Sequence, residues 1–199
     1  MTRTGLDLAE VRTVAGLDVG YARDSDELVA AVVVLAAATL DTVEQHTVAG
    51  RATFPYIPGL LAFREVPSLL TALRQLTTAP DVLLCDGYGI AHPRFGLACH
   101  LGVLTGVPSI GVAKTAYVGE PAEQRGSYTD LTDSGEVIGR VLRTQDGVRP
   151  VFVSIGHAVD LDTASEFVLR LAPRHRLPET TRAADHLGRM ALKTYRPSS

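Results

Sequence analysis

The sequence has few cysteines, little net charge and no long apolar run, and each shortage excludes a class of protein. Cys85 and Cys99 are the only cysteines, and their spacing fits neither a CxxC redox pair nor a zinc knuckle, so we predict that both are reduced and buried. The formal net charge of −3 gives no basic field over the whole molecule, although a local arginine surface could still hold phosphate. The longest apolar run, residues 28–40, falls short of the roughly 20 residues that cross a bilayer as a helix.

The amino-terminal segment excludes a secretory signal, because residues 1–16 are interrupted by acidic side chains and lack a continuous apolar core. We therefore expect a cytoplasmic protein without membrane contact. A chain of 199 residues with 46% hydrophobic residues can bury one substantial core. No internal repeat, low-complexity tract or linker divides it, so we predict a single domain over residues 1–199.

The first part of the chain predicts three strands, a helix and a strand-helix-strand unit. Three short runs, TVAGLDVG, ELVAAVVVLAAATL and DTVEQHTVAGRATF, are typical of consecutive antiparallel strands. The run VPSLLTALRQL places leucines at helical spacing, with Ser68 as a candidate cap. DVLLCDGYG, RFGLACHLGVLTG and PSIGVAK then predict a strand, a helix closed by Gly106 and a second strand, which together form a right-handed β-α-β unit.

The second part predicts a surface excursion, a hairpin and two helices. From Tyr117 to Asp133 the composition is polar and punctuated by turn residues, which indicates a long surface loop. EVIGRVLRT and RPVFVSIGH predict a hairpin turning at QDGV. DLDTASEFVLRLA and PETTRAADHLGRMALKTY predict two helices, the first capped by an aspartate or a threonine. The fold class is therefore α/β, with a mixed sheet flanked by helices, and ligands of such sheets bind at strand ends.

Two aspartates at predicted strand ends form a candidate cation site. Asp18 lies inside the first apolar strand, where a carboxylate is costly to bury without a cationic partner, and Asp86 ends the strand DVLLCD. The two could share Mg²⁺, which prefers oxygen ligands, and Glu65 could supply a third oxygen. The alternative for either aspartate alone is a structural ion pair with an arginine.

Two further side chains could assist chemistry at the same place. His157, which follows the strand FVSIG, could position or deprotonate water, or donate to a phosphate oxygen. Lys114, at the end of IGVAK, could direct an ammonium into the cleft. Any single histidine could instead be a surface residue or a satisfied core group, and we expect this of His46, His100, His175 and His186.

The segment DGYGIAHPRFG contains glycines that favour close approach of a ligand. Gly87 and Gly89 would allow backbone amides to approach a planar ligand or an anion. The segment is not a dinucleotide fingerprint, because the GxGxxG spacing fails at His92.

The segment FPYIPGLLAFREV places a stiff aromatic tip close to Glu65. Two prolines, Pro55 and Pro58, flank Tyr56 and Ile57 and remove backbone freedom from the tip. The residues alone are consistent with a rigid loop that packs its tyrosine on the core.

Four segments, PYIPGLLAFRE, DGYGIAHPRFGLACHLG, PSIGVAKT and VSIGH, occur in the order of the signature blocks of endonuclease V, and the chain from about Val14 to about Arg182 resembles that family. The resemblance implies a ribonuclease H-like fold and a metal-dependent endonuclease that cuts nucleic acid near deaminated bases, chiefly hypoxanthine. It further implies DNA repair by hydrolysis of the second phosphodiester on the 3′ side of the lesion, leaving a 3′-hydroxyl and a 5′-phosphate.

The resemblance also implies a role for each matching residue. Asp18, Asp86 and Glu65 match the acidic metal-binding residues, His157 matches the active-site histidine, and Lys114 matches a lysine near the scissile bond. The residues matching the wedge and the lesion-recognition loop are Pro55, Tyr56, Ile57, Pro58, Gly87, Gly89 and His92.

The implied cofactor is Mg²⁺, for which Mn²⁺ would substitute, and the implied partner is DNA containing deaminated bases, bound by a monomer. Three alternatives stay open: an endoribonuclease specific for inosine in RNA, a lesion-binding protein without turnover, and a nucleotide-binding enzyme that uses DGYG as a phosphate loop. The family's amino-terminal helix is expected to be missing, because about a dozen residues precede VAGLDVG. Cys99 stands at a position where members of the resembled family commonly carry a serine.

Overall fold

A computed structural model of the chain describes residues 6–115 and 123–194, and over these ranges it contains eight strands in one sheet and four helices. In chain order the elements are β1 (Thr13–Tyr21), β2 (Glu27–Ala36), β3 (Thr42–Arg51), α1 (Ala62–Leu73), β4 (Val82–Asp86), α2 (Leu97–Thr105), β5 (Ser109–Ala113), β6 (Tyr128–Asp133), β7 (Glu136–Leu142), β8 (Val151–His157), α3 (Leu161–Leu171) and α4 (Glu179–Thr194). No helix within these described ranges combines the length and the apolar character needed to cross a membrane.

The sheet is mixed, in the order β3-β2-β1-β4-β5-β8-β7-β6. Strands β1, β4 and β5 run parallel to one another, and all other neighbours are antiparallel. The α/β class, the three antiparallel opening strands, the β-α-β unit and the late hairpin predicted from the sequence are therefore confirmed.

Helices cover both faces of the sheet. One core lies between the sheet and helices α1 and α2, and the other lies between the sheet and helices α3 and α4. Strand β2 is buried along almost its whole length, whereas the edge strand β3 alternates exposed and half-buried residues. An internal strand that is covered on both faces requires a continuous apolar run, as in β2, whereas an edge strand with one solvent-facing side requires an alternating run, as in β3.

Helix α4 crosses β1 at very short range. A β-carbon placed on Gly16 would lie 2.1 Å from the backbone oxygen of Thr180, so only glycine permits this approach. The close crossing brings the following turns of α4 over the end of β1, where the candidate site lies.

Two of the predicted local structures are wrong. Helix α1 begins at Ala62 rather than after Pro67, so Pro67 lies inside the helix and Ser68 is not its cap; burial of Ala62, Glu65 and Val66 in the first turn and a half outweighs the hydrogen bond that the proline removes. The predicted surface loop contains β6, which pairs with β7 through a turn with positive φ at Ser134 and Gly135. The rest of that prediction, residues 117–122, lies outside the described residues.

Other local predictions are confirmed. Gly106 closes α2 in the left-handed conformation, with a φ of 74°. Asp160 caps α3 by accepting a hydrogen bond of 2.8 Å from the backbone nitrogen of Thr163. Cys85 and Cys99 are both buried free thiols.

Candidate active site

The carboxyl ends of the parallel strands bring Asp18, Asp86 and Lys114 together. Leu17 of β1 is paired with Cys85 of β4, so the next residues along the two strands, Asp18 and Asp86, are neighbours. Alternation along the strands directs Asp18, Asp86 and Lys114 to the sheet face that α3 and α4 cover. The Lys114 ammonium forms an ion pair with the Asp86 carboxylate.

Glu65 reaches the same place from the opposite face of the sheet. It lies in the first turn of α1 and is 8% exposed. Burial, together with the carboxylates of Asp18 and Asp86, raises the pKa of Glu65 to about 8. Burial and the Asp86 carboxylate likewise raise the pKa of Asp18 to about 6. The three carboxylates are thus close enough to repel one another in a poorly solvated site.

A fourth carboxylate, Asp185 of α4, was not identified from the sequence. Its charge is near enough to contribute to the raised pKa of Asp18 and to the raised pKa of Lys114, and its carboxylate pairs with Arg189 one turn later. Thr181 and Gly188, which are buried, lie four residues before and three residues after Asp185. The sequence pattern that could have identified Asp185 is a carboxylate on the buried face of an amphipathic helix.

The donor set suits a hard divalent cation, because it consists of carboxylate oxygens that repel one another and that the Lys114 ammonium neutralises only in part. Within residues 6–115 and 123–194, no three histidine, cysteine, aspartate or glutamate side chains are arranged closely enough to form a complete metal-ligand cluster. The positive charge beside Asp86 in this structure is the Lys114 ammonium. Burial lowers the pKa of Lys114, but the hydrogen bond to Asp86 and the charges of Asp86, Asp18 and Asp185 together raise it above its usual value.

His157 does not join this group. It is paired with Ser109, the first residue of β5, because β8 runs antiparallel to β5. It therefore lies level with Leu83, about 10 Å along the sheet from Asp86 at 3.3 Å per residue. The structure therefore does not place His157 beside the carboxylates, and its role in catalysis stays a prediction.

The proline-flanked tip is exposed beside a pocket of about 600 Å³. Residues 55–58 are all exposed, and Tyr56 is 70% exposed, so the alternative of a tyrosine packed on the core is wrong. The sequence-predicted residues that line the pocket are Tyr56, Ile57, Glu65, Asp86, Gly87 and His92. Four of the seven wedge and lesion-recognition candidates and two of the carboxylates therefore line one cavity, whereas Pro55, Pro58 and Gly89 are not among its lining residues.

An aromatic wall completes the pocket. The His100 ring makes edge contacts with Phe63 at 5.2 Å and with Phe95 at 4.7 Å between ring centroids, and all three residues line the cavity. The sequence analysis placed His100 among ordinary surface or core histidines. The structure corrects this, because α2 directs His100 toward the pocket.

The sequence predicted that the amides of Gly87 and Gly89 approach a ligand, but in the structure both amides donate hydrogen bonds within the protein. The Gly87 amide donates to the carbonyl of Val112 at 3.2 Å, and the Gly89 amide donates to the hydroxyl of Ser154 at 2.7 Å. A β-carbon on Gly89 would lie 2.0 Å from the backbone oxygen of Ile155. Gly89 is thus required for packing of the loop on β8, and Gly87 lines the pocket without offering its amide.

His92 offers one ring nitrogen as a donor. Burial, with the positive charge of Arg94, lowers the pKa of His92, which favours the neutral ring. The backbone amide of Arg94 donates to His92 Nδ1 at 3.2 Å, so the proton of the neutral ring is on Nε2.

Comparison with known proteins agrees with this architecture. The profile of the Endonuclease V family matches residues 2–186. Endonuclease V of Streptomyces avermitilis is 56% identical over 184 residues, which cover 90% of this chain and 80% of that protein. Its crystal structure superposes with a TM-score of 0.87, covering 92% of this chain and 82% of that one.

Two more distant structures share the fold over nearly the whole chain. The catalytic domain of human Endonuclease V is 35% identical, with a TM-score of 0.90, covering 97% of this chain and 90% of that one. Endonuclease V of Ciona intestinalis, in complex with a DNA containing an inosine followed by a ribo-adenosine, is 30% identical, with a TM-score of 0.87, covering 97% of this chain and 91% of that one. The sheet described above is thus a ribonuclease H-like fold, and the family implies a phosphodiester-hydrolysing nuclease with a divalent metal cofactor. With the family profile matching most of its length, the chain belongs to the Endonuclease V family.

Proposed function

We propose that the protein is a DNA-repair endonuclease that recognises deaminated bases, chiefly hypoxanthine, and hydrolyses the second phosphodiester on the 3′ side of the lesion in the cytoplasm. The observation that carries this proposal is the shared cavity, in which the exposed Tyr56 and the carboxylate of Glu65 line one pocket. Two structures of the Endonuclease V of Ciona intestinalis in complex with inosine-containing DNA support it.

Lesion capture requires that a base leave the helical stack, at a cost of a few kcal/mol that is lowest for a mispaired base. The proline-flanked tip fills the vacated space with the Tyr56 ring, and Pro55 and Pro58 limit the entropy lost when the tip enters the stack. The pocket of about 600 Å³ is large enough to receive the displaced base. Its aromatic wall of Phe63, Phe95 and His100 would contact the faces and edges of that base.

Lesion selection follows from a change of donor into acceptor. Deamination of adenine replaces an exocyclic amino group, which donates hydrogen bonds, with a carbonyl, which accepts them. His92, whose Nε2 carries the proton, would donate to that carbonyl and leave an adenine amino group without a partner. The side chain therefore discriminates by chemistry rather than by size.

Strand cleavage is assigned to the carboxylates and Lys114. Asp18, Asp86 and Glu65 would hold Mg²⁺, or Mn²⁺ in its place, and Asp185 would add a fourth charge at the same end of the sheet. Such ions lower the pKa of water and neutralise charge on phosphate oxygens. The Lys114 ammonium, beside Asp86, stabilises the negative charge that develops on the phosphate.

One observation favours a second candidate, cleavage of inosine-containing RNA. The nucleic acid bound by the Ciona intestinalis relative contains a ribonucleotide directly after the inosine. The candidate cation site and the pocket would serve either sugar.

The deciding experiment uses an oligonucleotide duplex with a single hypoxanthine, incubated with the protein and Mg²⁺, followed by mapping of any break. A nick at the second phosphodiester on the 3′ side, absent from the matched adenine duplex, is the expected result. Parallel RNA and hybrid substrates compare the two candidates. Tight lesion-selective binding without a nick, in Mg²⁺ and in Mn²⁺, would instead identify a lesion-binding protein and refute the nuclease.

A further inference from the structure

A second cleft adjoins the pocket of about 600 Å³ at Tyr56. The larger pocket, which would receive the displaced base, is called the lesion pocket. The second cleft has a volume of about 440 Å³ and is lined by Val19, Tyr21, Tyr56, Leu61, Arg64 and Glu65. Tyr56, Leu61 and Glu65 also line the lesion pocket. The two cavities therefore adjoin one another along these three residues.

The outer wall of the second cleft is held rigidly before any substrate binds. The Arg64 guanidinium lies 5.3 Å from the ring centroid of Tyr21, the last residue of β1, and Arg64 is 6% exposed. It donates at 2.7 Å to the carbonyl of Phe54 and at 2.8 Å to the carboxylate of Asp26. The wall is thus braced against both the β1–β2 hairpin and the start of the proline-flanked tip, as a preorganised binding site requires.

We propose that this cleft is a second nucleotide subsite, which takes the base of the nucleotide directly 3′ to the lesion. The inference rests on the proposed function. A cut at the second phosphodiester leaves one nucleotide between the lesion nucleotide and the scissile bond. Glu65 lines both cavities, so the base that follows the lesion would lie in the second cleft while the phosphate on its 3′ side stays close to this carboxylate.

The lining of the cleft matches this occupant in chemistry. Tyr21 and Tyr56 contribute aromatic rings, although the Arg64 guanidinium covers one face of Tyr21, and Val19 and Leu61 offer an apolar surface. Aromatic faces accept any base, because every base has a π-face. The subsite therefore requires a base at this position without selecting which one.

The test is a double-mutant cycle between the tyrosine and the neighbouring base, measured by single-turnover cleavage over a range of enzyme concentrations. The wild-type protein and Tyr21→Leu are each tested on a hypoxanthine duplex and on the same duplex with an abasic residue 3′ to the lesion. Each change alone is expected to raise the half-saturating enzyme concentration about 5-fold or more, as loss of one base-aromatic stack predicts. Together they should cost little more than either alone, because they remove the same contact.

Two further variants distinguish loss of the cleft from a general loss of folding. Val19→Phe fills the cleft and is expected to weaken binding of the intact duplex while leaving the abasic duplex almost unaffected. Tyr128→Leu removes an exposed tyrosine from β6, at the far edge of the sheet, and is expected to leave both duplexes unaffected. Circular dichroism of each variant confirms the fold.

The outcomes separate this inference from the proposed function. Nicking by the wild-type protein with fully additive losses in the cycle would overturn the subsite alone. Coupling of Tyr21 to an abasic residue on the opposite strand, with none to the 3′ neighbour, would overturn it as well. Absence of any nick at hypoxanthine would overturn the proposed function, and the subsite with it.

Discussion

The ammonium of Lys114 forms an ion pair with the carboxylate of Asp86 at the point where β4 and β5 end side by side. The pair sets a cation against one member of a group of carboxylates that includes Asp18 and Glu65.

Replacement of Asp86 by asparagine removes one negative charge at nearly constant volume. Single-turnover cleavage of hypoxanthine DNA is expected to fall at least about 100-fold, because a cation ligand and the partner of Lys114 are lost together. Asp133→Asn, at an exposed position at the end of β6, is the matched control and should cleave normally. Full activity of Asp86→Asn would exclude this carboxylate from the site.

Asp185→Asn and His157→Gln compare a residue that the fold brings to the carboxylates with a residue that only the sequence predicted there. Asp185 lies near Asp18 and Lys114, so its replacement is expected to lower the single-turnover rate about 10-fold or more. His157 lies at the other end of β5, so its replacement should leave the rate within about 3-fold of the wild type. The opposite ranking of the two rates would return His157 to the catalytic group.

Tyr56→Leu tests the aromatic tip. Base-aromatic stacking contributes about 1–3 kcal/mol, so the dissociation constant for hypoxanthine DNA is expected to rise about 5- to 150-fold, with a smaller effect on the rate at saturating enzyme. Titration of a fluorescent duplex gives the affinity, and Tyr128→Leu is the control with the same substitution far from the site. Unchanged affinity in Tyr56→Leu would contradict insertion of the ring.

Removal of divalent ions by a chelator is expected to make stability fall as pH rises. Glu65 ionises at its usual pKa of 4.5 in the unfolded chain, whereas the folded chain holds its pKa at about 8. Between these values the folded protein binds more protons than the unfolded chain, so the free energy of unfolding decreases with pH. The contribution of Glu65 is complete below about pH 4.5 and is lost as pH rises through about 8.

The measurement is the melting temperature in chelator between pH 5 and pH 9, at roughly 2–4 °C for each kcal/mol in a domain of this size. Glu65→Gln should show a flatter profile than the wild type, and Glu136→Gln, at an exposed position in β7, should follow the wild type. Added Mg²⁺ should raise the melting temperature of the wild type most at the alkaline end, where the carboxylates are ionised. A flat wild-type profile would contradict the burial and crowding of Glu65.

Most elements of the fold were predictable, because their signals are local. The strands that carry Asp18 and Asp86 are apolar runs; Asp86 is the last residue of β4, whereas β1 continues for three residues beyond Asp18 to Tyr21. Helix α1 was mispredicted at its start, because its first turn is stabilised by burial against the sheet rather than by a capping residue. The glycines of DGYG were recognised as points of close approach, but the partner at Gly89 is β8 and not a ligand.

The sequence by itself determined which strands carry the aspartates and that a stiff aromatic tip precedes a glutamate, since both depend on neighbours along the chain. Only the tertiary structure decided that the tip is exposed and which strands lie side by side. The antiparallel direction of β8 carries His157 away from the carboxylates, and the close crossing of α4 over Gly16 brings Asp185 toward them. Strand direction and helix placement are set by packing between distant segments, so no local pattern encodes them.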